Sequence, residues 1–139
     1  MERDIEKYFT LDQFAKHLGI TLVECSAGYA KVRMPVSKEH LNGVGIAHGG
    51  AIFSLADCAF AVASNSHGTV ALAINVAISF FRAVREGVLF AEAREVARNP
   101  KLATYEVTVT DEKGEPIALF QGTVYRKSEL LADVIKKVE

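Results

Sequence analysis

From Ala71 to Phe80 the chain alternates: Leu72, Ile74, Val76, Ile78 and Phe80 fall on one side, and Ala71, Ala73, Asn75, Ala77 and Ser79 on the other. A period of two over that length predicts a strand. The stretch before it has another rhythm. From His48 to Asn65 apolar residues occur almost all the way round a helix, and such a helix has to be buried. Its few small or polar positions, Gly50, Ser54, Asp57, Ala61 and Ser64, fall in one line at helical spacing. His67-Gly68 ends it.

The remaining elements follow from shorter patterns. Thr10-Leu-Asp-Gln13 reads as a capping box that opens a short helix, with Gly19 as its C′ residue. Ile5, Tyr8 and Phe9 suggest an earlier helical turn. Ile20–Cys25 and Tyr29–Val36 read as strands joined by the tight turn Ser26-Ala27-Gly28, and Ser37–Ala47 as the loop before the buried helix. Val88–Arg98 is locally compatible with a helix through its Ala, Glu and Arg content, but turns at Arg85-Glu86-Gly87 and Asn99-Pro100 favour a strand. Leu102–Thr110 and Glu115–Arg126 flank a hairpin turn at Asp111–Gly114. Ser128 is placed to cap a final amphipathic helix carrying Leu130, Leu131, Val134, Ile135 and Val138. One long buried helix and about six mostly antiparallel strands make an α+β arrangement, a sheet wrapping one side of the helix. A single domain over residues 1–139 is expected, with helices at about 11–18, 48–65 and 129–138.

Composition narrows the function classes. Half of the 139 residues are hydrophobic and the net charge is −1, with no lysine or arginine block, which argues against a general nucleic-acid binder. No long uncharged apolar run suggests a membrane span, because Asp57 and His67 interrupt the richest stretch. Met1–Lys7 lacks the apolar core of a signal peptide, and Cys25 and Cys58 have no metal or redox spacing, so the expected compartment is the cytoplasm. His40 and His48 lack a third ligand in any familiar spacing, and His17 and His67 read as surface or cap residues.

The chemistry concentrates at the helix. Asp57 is its only charge, and a carboxylate is expensive to bury unless paired or hydrogen-bonded. It is either an ordinary surface acid or a base or nucleophile. At His48-Gly49-Gly50 the helix starts with unpaired N–H groups and no Cβ to hold a ligand away. Such a start can stabilise the oxyanion formed when a thioester or ester carbonyl is attacked; the alternative is a pair of plain helix-entry glycines. From Gly49 to Asp57 the helix rises ~12 Å, so both cannot touch one carbonyl. A shared site needs a second copy of the chain, with Gly50, Ser54 and Ala61 permitting close approach.

Asn42-x5-His48-Gly49-Gly50-x2-Phe53-x-Leu55-Ala56-Asp57-x2-Phe60-Ala61 closely resembles the signature of hotdog-fold acyl-CoA thioesterases, in particular the phenylacetate-pathway (PaaI-type) group. The likeness runs from about Phe14 to Arg126 and includes Phe80-Phe81-Arg82-x2-Arg85-Glu86-Gly87 and Gly114-x2-Ile117-Ala118-x-Phe120-x-Gly122-x2-Tyr125-Arg126. The resemblance implies a hotdog fold and the hydrolysis of an aryl-acetyl or medium-chain acyl-CoA, with no metal or redox cofactor and coenzyme A arriving only as part of the substrate.

It also implies roles. Asp57 matches the family's catalytic carboxylate, acting by direct attack or through water. Gly49 matches the donor of a backbone N–H to the carbonyl oxygen, beside Gly50. Asn42 matches a side chain that positions the thioester or the water, and His48 a neighbour that shapes the entrance, though Asn42-Gly43 is also a common turn dipeptide and His48 could be a satisfied loop histidine. Asn75 lies where related enzymes place a polar residue near the water. The glycine and the acid come from opposite subunits in the family, so a homodimer is implied, and leftover apolar surface suits a tetramer made as a dimer of dimers. Ala83, where the family often has proline, and the C-terminal helix depart from the pattern. Arg82, Arg85, Arg94, Arg98 and Lys101 are candidates for the coenzyme A phosphates, or else solvated strand edges. Phe53, Phe60, Phe80 and Phe81 read first as core. Two competing readings are a non-catalytic acyl-CoA-binding protein and an acyl-thioester dehydratase; the second relies on a histidine–acid pair at other positions of the motif.

Overall fold

The computed structural model describes residues 2–139, the side chains of residues 2 and 3 aside; Met1, where the leader expectation begins, lies outside it. Two N-terminal helices, α1 (Glu2–Thr10) and α2 (Gln13–Leu18), precede the hairpin of β1 (Thr21–Ser26) and β2 (Tyr29–Pro35). The long helix α3 (Gly49–Asn65) follows, then β3 (Thr69–Phe80), β4 (Val88–Arg98), β5 (Leu102–Thr110), β6 (Pro116–Leu130) and α4 (Leu131–Val138). The strands form one six-stranded sheet in the order β1-β2-β4-β5-β6-β3, every pair antiparallel, with β1 and β3 at its edges. Among the described residues no helix is long and apolar enough to cross a membrane.

The sheet curls over α3. Small inward residues, Ala30, Ala91, Ala93, Ala103 and Ala118, are buried on the face that the helix packs against. Their size lets the helix axis come close, and larger inward residues such as Met34, Tyr105 and Phe120 fill the flanks. Phe60 occupies the centre, its ring centroid 5.4 Å from Phe120 and 5.8 Å from Tyr105, in the tilted and edge-on arrangements that aromatic pairs prefer. On the far end of α3, Ser66 accepts a hydrogen bond from Gly28 N–H (2.8 Å), and Asn65 Oδ1 accepts one from Ala71 N–H (2.9 Å). These fasten the helix to the β1–β2 turn and to the start of β3.

Three local expectations change. Thr10 does not open α2: it ends α1, where its hydroxyl donates to the Lys7 carbonyl. Asp12 caps α2 instead, accepting from Ala15 N–H at 3.0 Å, and Gly19 closes it at φ 76°, a left-handed conformation suited to glycine. Ser128 does not cap the last helix, because β6 runs on to Leu130 and pairs there with Thr69; the first N–H of α4 is donated to Gly68 O (2.9 Å). The alternating face of β3 is also broken. A bulge between Ala73 and Asn75 puts Ala71 on the helix side before it and Val76, Ile78 and Phe80 on that side after it. Leu72 and Ile74 are left 54% and 60% exposed in the single chain, so one sequence stripe becomes two faces.

Candidate active site

The loop before α3 is built around Asn42. Its Oδ1 accepts from Val44 N–H (3.0 Å) and Ile46 N–H (3.3 Å), which fixes the amide's orientation and leaves its NH2 as a donor. Ala47 N–H reaches Val84 O (2.7 Å) and His48 N–H reaches His40 O (2.7 Å), tying the loop to the chain after β3 and to the preceding 3-10 turn. His40 itself is buried: its Nδ1 accepts from Ser37 N–H and its Nε2–H donates to Leu18 O (2.8 Å).

His48 is the N-cap of α3. Its Nδ1 accepts from Gly50 N–H at 2.8 Å, and its carbonyl accepts from Ala51 and Ile52. The amides of Gly50, Ala51 and Ile52 are therefore satisfied. The Gly49 N–H is not: among the described residues it finds no acceptor. The two entry glycines, indistinguishable in sequence, thus divide, with Gly49 carrying the open donor and Gly50 the cap bond. A Cβ on Gly49 would stand 3.4 Å from the Phe80 ring, so the open amide lies beside an aromatic wall. Asn42 and Gly49 line one cavity of about 300 Å³ with Ile52, Phe80, Phe81 and Arg82.

Asp57 lies elsewhere. It faces a second cavity of about 360 Å³ lined also by Asp12, Phe14, Ile20, Phe53 and Ala61. Among the described residues it makes no hydrogen bond and no ion pair. Burial raises its proton affinity above the ordinary carboxylate value of 3.8, and the nearby Asp12 charge adds to the rise. Burial likewise pushes the adjacent Cys58 thiol up to about 12, helped by Asp12 and Asp57, so it stays protonated.

The other candidates separate by position. Arg82 lies at the Gly49 cavity, 3.8 Å from Glu115. Arg85 Nη1 donates to Gly45 O (3.4 Å) in the loop before α3. Arg98 is at the opposite end of the sheet, in a cavity shared with His67, Thr69, Arg126 and Lys127. Asn75 pairs with Thr123 and faces away from the helix, because its neighbour Val76 pairs with Gly122, which lies over Phe60. Arg94 stacks on Tyr29, 4.9 Å from the ring centroid. His67, expected as a surface or cap residue, instead donates from Nε2 to Glu95 (2.7 Å) while its Nδ1 accepts from Arg98. Of the four phenylalanines only Phe60 is fully buried; Phe53 lines the Asp57 cavity, and Phe80 and Phe81 the Gly49 cavity. Sequence reading passed over Asp12 and Phe14. The signal for Asp12 was its place three residues before Ala15, which marks it as an N-cap rather than as a neighbour of Asp57.

Comparison with known proteins places this architecture. Residues 44–118 match the thioesterase superfamily. The chain is 38% identical to the acyl-coenzyme A thioesterase PaaI of Escherichia coli, covering 83% of each chain. It is 49% identical to a protein of Archaeoglobus fulgidus provisionally named an esterase, over 93% of this chain and 84% of that one. Among solved structures, the Escherichia coli PaaI protein superposes with a TM-score of 0.89 at 33% identity, covering 92% of this chain and 94% of that one. With its buried helix, its wrapping antiparallel sheet and these relatives, the chain belongs to the thioesterase superfamily, as a hotdog-fold thioester hydrolase of the PaaI group.

Proposed function

We propose that the chain hydrolyses the thioester of an aryl-acetyl or medium-chain acyl-CoA to the free acid and coenzyme A, in a site shared by two copies. The observation that carries this reading is the division just described: the open Gly49 amide and the Asp57 carboxylate line different cavities of one chain. Each cavity holds half of what hydrolysis requires. The Gly49 side offers donors for a developing oxyanion, the Gly49 N–H and the Asn42 amide. The Asp57 side offers a base with raised proton affinity and apolar walls, Phe14, Ile20, Phe53 and Ala61, suited to an acyl group.

Brought together, the halves complete a balanced reaction. Asp57 takes a proton from water as the oxygen bonds to the carbonyl carbon, and the oxyanion rests on the Gly49 N–H. Collapse breaks the carbon–sulfur bond, and the departing thiolate receives the proton held by Asp57. The Asp57 carboxylate is restored, the products are the free acid and the thiol, and no cofactor is consumed. His48 serves this site as the cap that orients Gly49 and Gly50. Edge strand β3 supports the pairing, because its outer side is unpaired over 12 residues and an antiparallel copy can add there. Arg82 lines the Gly49 cavity and Arg85 binds the loop before it, where coenzyme A phosphates would pass. Arg98 lies near the other end of β3, roughly 40 Å along the strand, and would serve the same substrate only from the partner subunit. The Leu72, Ile74 and Tyr125 face left exposed on the outside of the sheet suits a dimer of dimers.

The test is thiol release from a panel of acyl-CoAs by wild type, Asp57→Asn and Gly49→Pro proteins. Both variants are expected to be inactive alone. Mixed after dissociation, they should recover about a quarter of wild-type activity, since half of randomly re-formed dimers carry one intact site of two. Demonstrably mixed dimers without recovery would refute the shared site, and an enoyl product instead of free acid would refute hydrolysis.

A further inference from the structure

Asp12 stands at the junction of α1 and α2, and one of its oxygens is occupied by the Ala15 N–H at 3.0 Å. That bond requires an acceptor and not a charge: serine or asparagine caps a helix as well as aspartate does. The dipole of α2 favours that charge, and the charge has a further setting, because Asp12 lines the same 360 Å³ cavity as Asp57. No lysine or arginine compensates the pair; neither carboxylate takes part in any ion pair among the described residues. The other titratable groups near them are Tyr8 from α1 and Cys58 from α3, both pushed up to about 12, first by burial and next by Asp12, so both remain neutral. With neutral surroundings in one partly apolar cavity, the Asp12 charge disfavours ionisation of Asp57.

We propose that Asp12 is a positioning residue for Asp57: a second carboxylate, anchored at the cavity by its N-cap bond, whose charge strengthens Asp57 as the base that takes the proton from water. This rests on the reading of Asp57 as that base. In the step, water gives its proton to Asp57 as the carbon–oxygen bond forms, and the proton later leaves with the thiol. Asp12 exchanges no proton with the substrate. Its negative charge favours the protonated form of Asp57 that exists at the transition state, which raises the basicity of Asp57 without touching the reacting atoms. Burial supplies the larger share of that basicity, so removing the Asp12 charge lowers it only in part.

Asp12→Asn keeps an N-cap acceptor and deletes the charge. Its kcat/KM–pH profile on an acyl-CoA with an uncharged acyl group is expected to move its acid limb to lower pH. At higher pH kcat should fall a few-fold with KM and oligomeric state unchanged and the melting temperature not lowered, because relief of the Asp12–Asp57 repulsion favours the folded state there; loss of a helix cap would lower it. Asp12→Ser, which also caps, should behave alike and serves if the asparagine variant does not fold. Titration of the Asp57 carboxyl carbon by NMR, assigned with Asp57→Asn, should show the same downward move in the Asp12 variants without recourse to activity. An acid limb and an Asp57 titration unmoved in a folded Asp12 variant would overturn the proposal while Asp57 remained the base. Wild-type hydrolysis by Asp57→Asn would overturn both.

Discussion

Phe60 closes against the bare backbone of Gly122: a Cβ on that glycine would stand 2.6 Å from the Phe60 ring, closer than real Cβ atoms come. The contact sets how near α3 approaches β6, and with it how Asp57, three residues earlier on the helix, is presented. Gly122→Ala should destabilise the protein by about 1–3 kcal/mol, as overpacking of a filled core does. Urea unfolding checks this, and Phe60→Leu combined with Gly122→Ala should recover part of the loss, because the smaller side chain yields the space.

The Gly49 amide can be removed almost surgically. His48 already has the extended conformation (φ −60°, ψ 136°) required before proline, and Gly49 is the first residue of the helix, where proline is welcome. Gly49→Pro should therefore fold while kcat falls roughly 10²–10³-fold, the usual loss of one oxyanion donor. Gly49→Ala keeps the N–H and should lose far less. Equal losses in both variants would point to the space beside Phe80 rather than to the amide.

Asp57→Asn should lower kcat by about 10²–10⁴-fold, the span of general acid–base catalysis. The same change should raise the melting temperature at neutral pH. The folded-state proton affinity of Asp57 is raised, so its stabilising contribution is present below its ordinary value of 3.8 and is lost as pH rises through the raised folded value. The variant's advantage should therefore vanish in acid. Thermal melts across pH read this directly, and a variant less stable than wild type at neutral pH would contradict it.

Glu95 gathers three elements. Its Oε1 accepts from Tyr105 O–H (2.8 Å) and His67 Nε2–H (2.7 Å), and Arg98 lies 4.0 Å from its other oxygen. Partial burial works to raise its proton affinity, but these hydrogen bonds and charges outweigh burial and hold it below the ordinary 4.5. Its contribution is thus present above that value and lost as pH falls through the lowered one. Glu95→Gln should cost on the order of 1–2 kcal/mol at neutral pH, judged by hydrogen bonds to charged groups, and the difference should shrink as pH falls below the ordinary 4.5.

The central helix, the strand pattern and the motif from Asn42 to Ala61 were legible in the sequence because each is a local rhythm: apolar all round, alternating, or glycine next to small residues. Composition and spacing also set Gly49 and Asp57 too far apart on one helix to share a carbonyl, since the rise per residue is fixed. Caps were less legible. Thr10, Asp12, Ser37 and Ser128 are all chemically able to cap, and only the path of the chain selects Asp12 for α2 and carries Ser128 into β6.

The sequence by itself determined which residues had to be buried and where the chemistry had to gather, because burial and helix geometry act within a few neighbouring positions. Tertiary structure alone decided that the β3 stripe divides at a bulge, that His48 satisfies Gly50 and leaves Gly49 open, and that Asp12 and Asp57 line one cavity. Those relations join residues distant along the chain, or turn on a single hydrogen bond among several possible ones, and no local pattern encodes such choices.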